Sequence, residues 1–195
     1  FQSKPDKISI LKAIYYSLSD FISPNFNSKD VIGGFVGTAG QEIEDFASKF
    51  EKSGDDYSSI LIKALADRLA EASAELLHEK MRKDNGSNED YSNDELIKEK
   101  YAGIRPAHGY PACPDHSEKD KIWRLLDVEN KLNVNLTENY AIYPPSSISG
   151  LYFYNLDAKY FSVGKINDDQ FKHYAENSNI DIKKLKSILQ NNLDS

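Results

Sequence analysis

The sequence contains very little sulfur, with Cys113 as its one cysteine and Met81 as its one methionine. A single cysteine excludes an internal disulfide framework and fits a reducing compartment, so we expect a cytoplasmic protein. No apolar run approaches the length of a membrane-spanning helix, and no secretory leader is visible, so no membrane partner is expected. The net charge of −7 lacks the basic excess of a general nucleic-acid-binding domain.

The composition that remains is typical of a globular domain. Hydrophobic residues make up 39% and aromatic residues 11% of the 195 positions, which is enough for one domain with a proper core. The chain opens FQSKPDK without an initiator methionine, which predicts that it is a piece of a longer polypeptide.

A glycine-rich segment, VIGGFVGTAG at residues 31–40, follows a short helical or extended piece at residues 8–22. Its three-residue glycine spacing resembles a phosphate-binding loop, but no GK[ST] motif follows. A strand and turn is the better interpretation.

The segment from Gln41 to Arg82 has a helical pattern that is interrupted near SGDDYSS. We predict a helix over residues 59–83. Apolar residues at three- and four-residue spacing predict one buried stripe along it, formed by Leu61, Leu65, Leu69, Ala72 and Leu76.

Several polar residues mark the starts of later helices. The capping box of Ser92 and Glu95 begins a short helix, and we predict further N-caps at Ser117, Asn167 and Asp181. The aromatic runs GLYFY at residues 150–154 and KYFSVGKI at residues 159–166 are predicted to form a hairpin. This order predicts an α+β fold, an antiparallel twisted sheet with flanking helices.

The loop RPAHGYPACPDH, residues 105–116, has the most unusual composition in the chain. Cys113 and His116 are three residues apart, but a closed zinc site needs four ligands and no second Cys/His pair has usable spacing, so no metal is predicted. Cys113 as a nucleophile is also disfavoured, because a small buried side chain is the more common role of a lone cysteine. No catalytic residue is assigned.

The front of the same loop suggests a ligand clamp. Pro106 holds Arg105 out of helical conformation, Gly109 permits a positive φ, and Tyr110 offers a flat ring with a hydroxyl. A guanidinium binds a carboxylate through two parallel hydrogen bonds, which suits an anionic or zwitterionic small ligand. From the residues alone, a ligand-binding loop and a purely structural loop are equally supported.

The motifs KALADRLAEASAELLHEKMRK, ELIKEKYAGIRPAHGYPACPDHSEK and LTENYAIYPPSSISGLYFYNLDAKYFSVGKI carry a resemblance to a known family. The chain resembles the C-terminal activation domain of cobalamin-dependent methionine synthase. The resemblance runs from about Ser17 to the end, and the domain is expected to occupy residues 1–195.

The resemblance implies binding of S-adenosyl-L-methionine, the methyl donor for reductive methylation of cob(II)alamin. Cobalamin is expected to bind to a separate module of the same methyltransferase. The electron for the reduction is expected to come from flavodoxin or a flavodoxin-like reductase. The isolated chain is therefore expected to be part of an enzyme without being catalytically complete.

The resemblance also assigns residues to the ligand. Arg105 is expected to bind its carboxylate, while the loop at Ala107, Gly109 and Tyr110 encloses the adenosyl part. Two acidic residues are expected near the cationic end and two aromatic residues on the other wall of the site: Glu71 and Glu99, and Tyr160 and Phe161. Plain sheet packing is the alternative for that aromatic pair.

The chain departs from the family pattern in two ways. His108 stands where the family usually has a second proline, and the family's activation domain extends further towards its N-terminus, with an acidic residue that contacts the ligand. Two rival functions remain open: an interaction module that docks the cobalamin domain and an electron donor, or a stand-alone reactivation protein for a corrinoid protein. Two basic clusters are candidate docking patches: Lys80, Arg82 and Lys83, and Lys183, Lys184 and Lys186.

Overall fold

The structure is a computed structural model that describes residues 16–23, 30–178 and 180–194. Residues 8–15 of the predicted N-terminal piece lie outside the described residues, and Leu18–Phe21 forms a 3-10 turn capped by the Ser17 side chain. The chain divides into two compact units. The first unit comprises residues 1–32, 102–118 and 151–195, and the second comprises residues 33–101 and 119–150.

The described residues form helices and small sheets. The helices are α1 Glu42–Lys52, α2 Asp56–Asp84, α3 Asn93–Ile97, α4 Lys119–Leu126, α5 Val128–Leu132, α6 Asp168–Asn177 and α7 Ile182–Leu189. The strands are β1 Val31–Thr38, β2 Asn135–Leu136, β3 Ile142–Tyr143 and β4 Ser147–Tyr154. β1 pairs with β4, and β2 runs antiparallel to β3 with Leu136 opposite Ile142. The predicted α+β class and the strand at VIGGFVGTAG are confirmed.

Helix α2 is the longest helix among the described residues, at 29 residues. It begins at the side chain of Asp55, which accepts a hydrogen bond from the Ser58 backbone at 3.0 Å. Its neighbour α1 is held against it by Glu51, whose carboxylate accepts hydrogen bonds from Ser59 and Lys63. Among the described helices, none combines the length and the apolar character needed to cross a bilayer.

The predicted buried stripe of α2 is wrong. The buried residues of the helix are instead Ser59, Ala66, Ala70, Ala74, His78 and Arg82, while Leu61, Leu65, Leu69 and Leu76 are exposed. Small side chains allow a close approach on the buried side, where a Cβ added at Gly37 of β1 would lie 3.0 Å from Ser73 Oγ. Periodicity identifies an apolar face but does not say which of two apolar faces meets the sheet.

The C-terminal end of α2 contains a buried charge. The guanidinium of Arg82 is fully buried, donates from Nε to Glu89, and lies 3.9 Å from the centre of the Tyr101 ring. His78 packs edge-on against the same ring at 5.0 Å. Because removal of one partner of a buried ion pair leaves an uncompensated charge, substitution of Arg82 or Glu89 alone should be strongly destabilising.

Two small cores can be identified among the described residues of the first unit. One consists of Val163 with Ile166 and the inward residues of α7, Leu185 and Leu189. The other consists of Phe21, Ile104 and Phe153. Phe161 packs against both.

The predicted hairpin of residues 150–154 and 159–166 is wrong. β4 is correct, but residues 159–165 form no strand. Ile104 bridges Phe153 of β4, and the Val163 backbone bonds to Pro111. Tertiary contacts of the proline-rich loop therefore replace the local pairing that β propensity favours.

The predicted caps are mostly confirmed. Ser92 with Glu95, and Asn167 with Gln170, form capping boxes, and Asp181 caps α7. Ser117 does not cap a helix; it lies buried inside a 3-10 turn, where both its N–H and its hydroxyl donate to Asp115.

Candidate ligand-binding site

The loop that carries Arg105 is fastened along one side to β4. Ile104 and Phe153 exchange two backbone hydrogen bonds of 3.1 and 3.0 Å, and the carbonyl of Pro106 accepts from Leu151 N at 2.9 Å. Arg105 lies between these two anchors. Its backbone position is therefore set by the strand, although the loop has no regular secondary structure.

A second segment, residues 160–163, fastens the other side. The Tyr160 hydroxyl accepts a hydrogen bond from Arg105 N at 3.0 Å. The carbonyl of Pro111 accepts from Val163 N at 2.9 Å. The structure thus brings together Arg105 and Tyr160, two of the predicted site residues, from positions 55 residues apart.

Two glycines make this arrangement sterically possible. Gly103 has a φ of +91°, and a Cβ there would overlap the carbonyl oxygen of Phe153. Gly109 has a φ of +93°, and a Cβ there would overlap the imidazole ring of His116. Both positions combine a left-handed conformation with a close approach, which only glycine tolerates without strain.

Cys113 and His116 support the loop from behind. Gly109 N donates to Cys113 O at 2.7 Å, and Cys113 N donates to Tyr110 O at 2.9 Å. His116 packs on the face of Gly109 where a side chain would otherwise stand. Within residues 16–23, 30–178 and 180–194, His, Cys, Asp and Glu side chains form no group of three that could hold a metal ion.

A buried carboxylate that the sequence analysis missed ties the end of the loop to α6. Asp115 is 1% exposed and accepts hydrogen bonds from Ser117 N and from the Tyr174 hydroxyl, each at 2.8 Å. Burial, followed by the negative charges of Asp115 and Glu118, raises the pKa of the Tyr174 phenol well above its ordinary value. The spacing in the Asp-x-Ser pair was the available signal, since Asp side chains commonly accept from the backbone two residues on.

The predicted aromatic residues differ in what they present to solvent. Tyr110 is 65% and Tyr160 49% exposed, so both rings have surface to offer a ligand. Phe161 is partly buried, and its ring centre lies 6.0 Å from that of Tyr16 and 6.2 Å from that of Phe21. It holds the 160–163 segment to the core.

The remaining predicted residues lie in different surroundings. Arg105 and Ala107 are partly exposed in the first unit, and His108 is buried. Glu71, exposed on α2, and Glu99, exposed after α3 with a φ of +49°, belong to the second unit. Their roles towards a ligand remain predictions.

The family model for the vitamin B12 dependent methionine synthase activation domain matches residues 4–179. The chain belongs to this family. The family prediction from the RPAHGYPACPDH loop and its neighbouring motifs is thereby confirmed. This loop, which bonds to β4 and to residues 160–163, is therefore part of an activation domain.

A solved relative supports the same assignment at the level of the fold. The chain is similar to the crystal structure of the MetH reactivation domain bound to AdoHcy, with 48% sequence identity and a TM-score of 0.81. The match covers 84% of this chain and 51% of that one. The chain therefore spans about half the length of this relative.

Proposed function

We propose that residues 1–195 act as an activation domain that binds S-adenosyl-L-methionine and presents it for the reductive methylation of cobalamin. The observation that carries the proposal is the relative with AdoHcy bound, at 48% identity, combined with the anchored Arg105 loop of this chain. AdoHcy is the demethylated form of the proposed methyl donor, so both molecules offer the same carboxylate, ammonium and adenosyl groups for recognition.

Arg105 is the proposed carboxylate-binding residue. Its guanidinium can donate two parallel hydrogen bonds to a carboxylate, and its backbone is held by Tyr160 and by the flanking pairs to β4. A side chain on a fixed backbone loses less conformational entropy when a ligand binds.

The rest of the loop and Tyr160 are proposed to enclose the ligand. Ala107, Gly109 and Tyr110 would line the adenosyl part, because the turn in which Tyr110 N donates to Ala107 O exposes the Tyr110 ring. Tyr160 would form the opposite wall, and Phe161 would contribute by holding Tyr160 in place from the core.

Glu71 and Glu99 are proposed to favour the cationic part of the ligand. Carboxylates attract a sulfonium and an ammonium group, and the attraction weakens with distance and with salt.

The bound ligand supplies an electrophilic methyl group on its sulfonium sulfur. Transfer of that group to a cobalt nucleophile requires alignment and exclusion of water more than proton transfer. We therefore assign this chain a positioning role without a general acid or base. The cobalamin module and the electron donor, flavodoxin or a flavodoxin-like reductase, are proposed partners that complete the methyltransferase.

Calorimetric titration with S-adenosylmethionine and with AdoHcy tests the proposal. Arg105→Ala should weaken binding about 100-fold, because a bidentate charge-assisted contact contributes about 3 kcal/mol. Arg124→Ala is the matched control: Arg124 is an exposed arginine that pairs with Asp120 on α4. Equal affinity in the wild type and Arg105→Ala would show that Arg105 does not bind the ligand carboxylate. Absence of heat in the wild type would contradict the methyl-donor role.

One observation also favours docking of an acidic partner, in line with the proposed electron donor. Of the two basic clusters, the first is neutralised: Lys80 pairs with Asp84, Lys83 with Glu79, and Arg82 is buried against Glu89. In the second, Lys183 and Lys186 line an open cavity of about 550 Å³ that Lys165 and one carboxylate, Asp194, also border, so cations outnumber anions in its lining. We propose this lysine cavity as the docking patch.

Salt dependence distinguishes docking from ligand binding. Lys183→Gln with Lys186→Gln should slow association with an acidic flavodoxin about tenfold at low salt, and less at physiological salt. Lys80→Gln with Lys83→Gln is the matched control. An unchanged association rate in the first pair would exclude this patch, whatever the outcome of the titrations above.

A further inference from the structure

The turn that follows α2 contains the only Asn-Gly pair of the sequence, Asn85 and Gly86. Both residues are exposed, and nothing that the structure describes lies within 4 Å of the position that a Cβ on Gly86 would take. An asparagine side chain can react with the backbone nitrogen of the next residue, because the two groups are held close enough to form a small ring. Glycine hinders this approach least, since it lacks a side chain and rotates freely. Sequence and exposure therefore make Asn85 a candidate for covalent modification.

Two hydrogen bonds engage the reacting groups in the folded turn. The Asn85 amide Nδ2 donates to the carbonyl of Met81 at 2.8 Å, and Gly86 N donates to the carbonyl of Lys83 at 3.0 Å. Exposed hydrogen bonds at the end of a helix open more easily than those in its interior. The reaction therefore requires the last turn of α2 to open.

We propose that Asn85 is a site of spontaneous deamidation whose rate is controlled by opening of the last turn of α2. In the opened turn, Gly86 N attacks Cγ of Asn85. The N–Cγ bond forms, the Cγ–Nδ2 bond breaks, and Nδ2 leaves as ammonia together with the Gly86 amide proton. Water then adds to one of the two carbonyl carbons of the resulting succinimide that flank the ring nitrogen. Cleavage of the nitrogen bond to Cγ gives aspartate, and cleavage of the nitrogen bond to the backbone carbon gives isoaspartate.

Deamidation places a negative charge at an unfavourable end of the helix. The last carbonyls of a helix carry partial negative charge, so a carboxylate at residue 85 is repelled by them. The product also lacks the amide donor that the Met81 carbonyl accepts in the unmodified chain. We therefore expect the modified helix to fray further at its C-terminal turn.

The turn is connected to the buried ion pair of Arg82. Ser87 donates its backbone N–H to the Arg82 carbonyl at 3.0 Å and its hydroxyl to Glu89 at 2.9 Å. Glu89 is the carboxylate that pairs with the buried guanidinium. Isoaspartate lengthens the main chain by one carbon just before Gly86, and this displaces Ser87 relative to the helix. Modification of Asn85 should thus weaken the Arg82–Glu89 pair.

Asn177, the last residue of α6, is a matched reference in the same molecule. It is exposed, and its Nδ2 donates to the carbonyl of His173, four residues back, at 2.8 Å, as that of Asn85 does to Met81. The next residue is Ser178, whose side chain hinders attack by its backbone nitrogen. The two asparagines therefore share a helix end and a hydrogen bond and differ in the residue that follows.

Peptide mapping by mass spectrometry, after incubation of the chain at mildly alkaline pH in water enriched in heavy oxygen, tests the proposal. We expect deamidation several-fold faster at Asn85 than at Asn177, with heavy oxygen in the product. Unfolding in urea should accelerate the reaction at Asn85 several-fold. Asn85→Gln should remain unmodified, because its longer side chain closes a less favourable ring. Asn85→Asp, which reproduces one product, should lower the melting temperature more than Asn177→Asp does.

The opposite results contradict separate parts of the proposal. Equal rates at Asn85 and Asn177 in the folded chain would show that the Asn-Gly turn is not a preferred site. An equal rate at Asn85 in the folded and the unfolded chain would show that the helix end does not control the reaction. Equal melting temperatures of the two aspartate variants would show that the Arg82 pair does not depend on the turn. No ligand is present, so none of these results depends on whether S-adenosylmethionine binds.

Discussion

The Arg105 loop and helix α2 differ in how their conformations are maintained. The loop has no regular secondary structure, yet Ile104, Pro106 and Pro111 hydrogen-bond to backbone groups distant in sequence, and Arg105 bonds to Tyr160. α2 is regular over 29 residues but leaves exposed a leucine face that consists of Leu61, Leu65, Leu69 and Leu76. Regularity of secondary structure and completeness of tertiary packing are therefore separate properties in this molecule.

The comparison has a physical basis. A helix satisfies its backbone hydrogen bonds within itself, so it forms with one face unburied. An irregular loop has no internal partners for its backbone, so it keeps a single conformation only where neighbouring segments supply them. The loop should thus be sensitive to single substitutions that the leucine face tolerates.

Gly109→Ala should have the largest effect. The added Cβ overlaps the His116 ring and the residue keeps a φ of +93°, so strain and displacement together should lower the free energy of unfolding by about 3 kcal/mol. Urea unfolding measures this loss. In the double variant Gly109→Ala with His116→Ala, the loss of unfolding free energy caused by overlap should disappear. The loss caused by the positive φ should remain. No recovery would mean that the ring is not what excludes a side chain at Gly109.

Two neighbouring residues of α2 give the second comparison. Ala70 is 5% and Leu69 65% exposed. Ala70→Leu should cost about 2 kcal/mol through overpacking, whereas Leu69→Ala should change the free energy of unfolding by less than about 0.5 kcal/mol. Comparable losses in the two variants would mean that the leucine face is covered in solution.

Tyr174→Phe removes one donor from the buried carboxylate of Asp115 and should cost about 1–2 kcal/mol at neutral pH. Because the folded-state pKa of Tyr174 is raised, the unfolded phenol ionises above about pH 10 while the folded one stays protonated. The wild type should therefore lose its advantage over the variant as pH rises above about 10. Unfolding curves at pH 8 and at about pH 11 test this, and a constant difference would contradict the shifted pKa.

Tyr160→Phe should have the smallest effect in the loop. It removes the acceptor of the Arg105 N–H and should cost about 1 kcal/mol, since water can take over a bond to a partly exposed group. Ligand affinity should fall by less than it does in Arg105→Ala. A loss as large as that of the arginine variant would mean that the hydroxyl contacts the ligand directly.

The sequence was a good guide to local features. The capping boxes at Ser92 and Asn167 and the strand over VIGGFVGTAG are determined by residues within a few positions of each other, and all are present. The family also followed from the sequence, because the long RPAHGYPACPDH motif is specific in itself.

The sequence misled wherever the answer depended on distant residues. Residues 159–165 have β propensity but form no strand, because Val163 bonds to Pro111 of the loop, and Ile166 makes only an isolated bridge to Leu193. Asp115 and Tyr174 meet across 59 residues, so their hydrogen bond has no local signal.

What the sequence determined by itself is most of the helices, the caps at Ser92, Asn167 and Asp181 and the Arg-Pro loop of an activation domain, since propensity, capping and a long motif act over short distances. The tertiary structure alone decided that Arg105 is held by Tyr160 and that α2 buries its alanines while exposing its leucines. In both cases the sequence offers several contacts of similar chemistry: several hydroxyl groups could bond to Arg105, and two apolar faces of α2 could be buried. Shape decides them: only the small side chains of α2 allow β1 to approach closely, and only the fold brings position 160 to position 105.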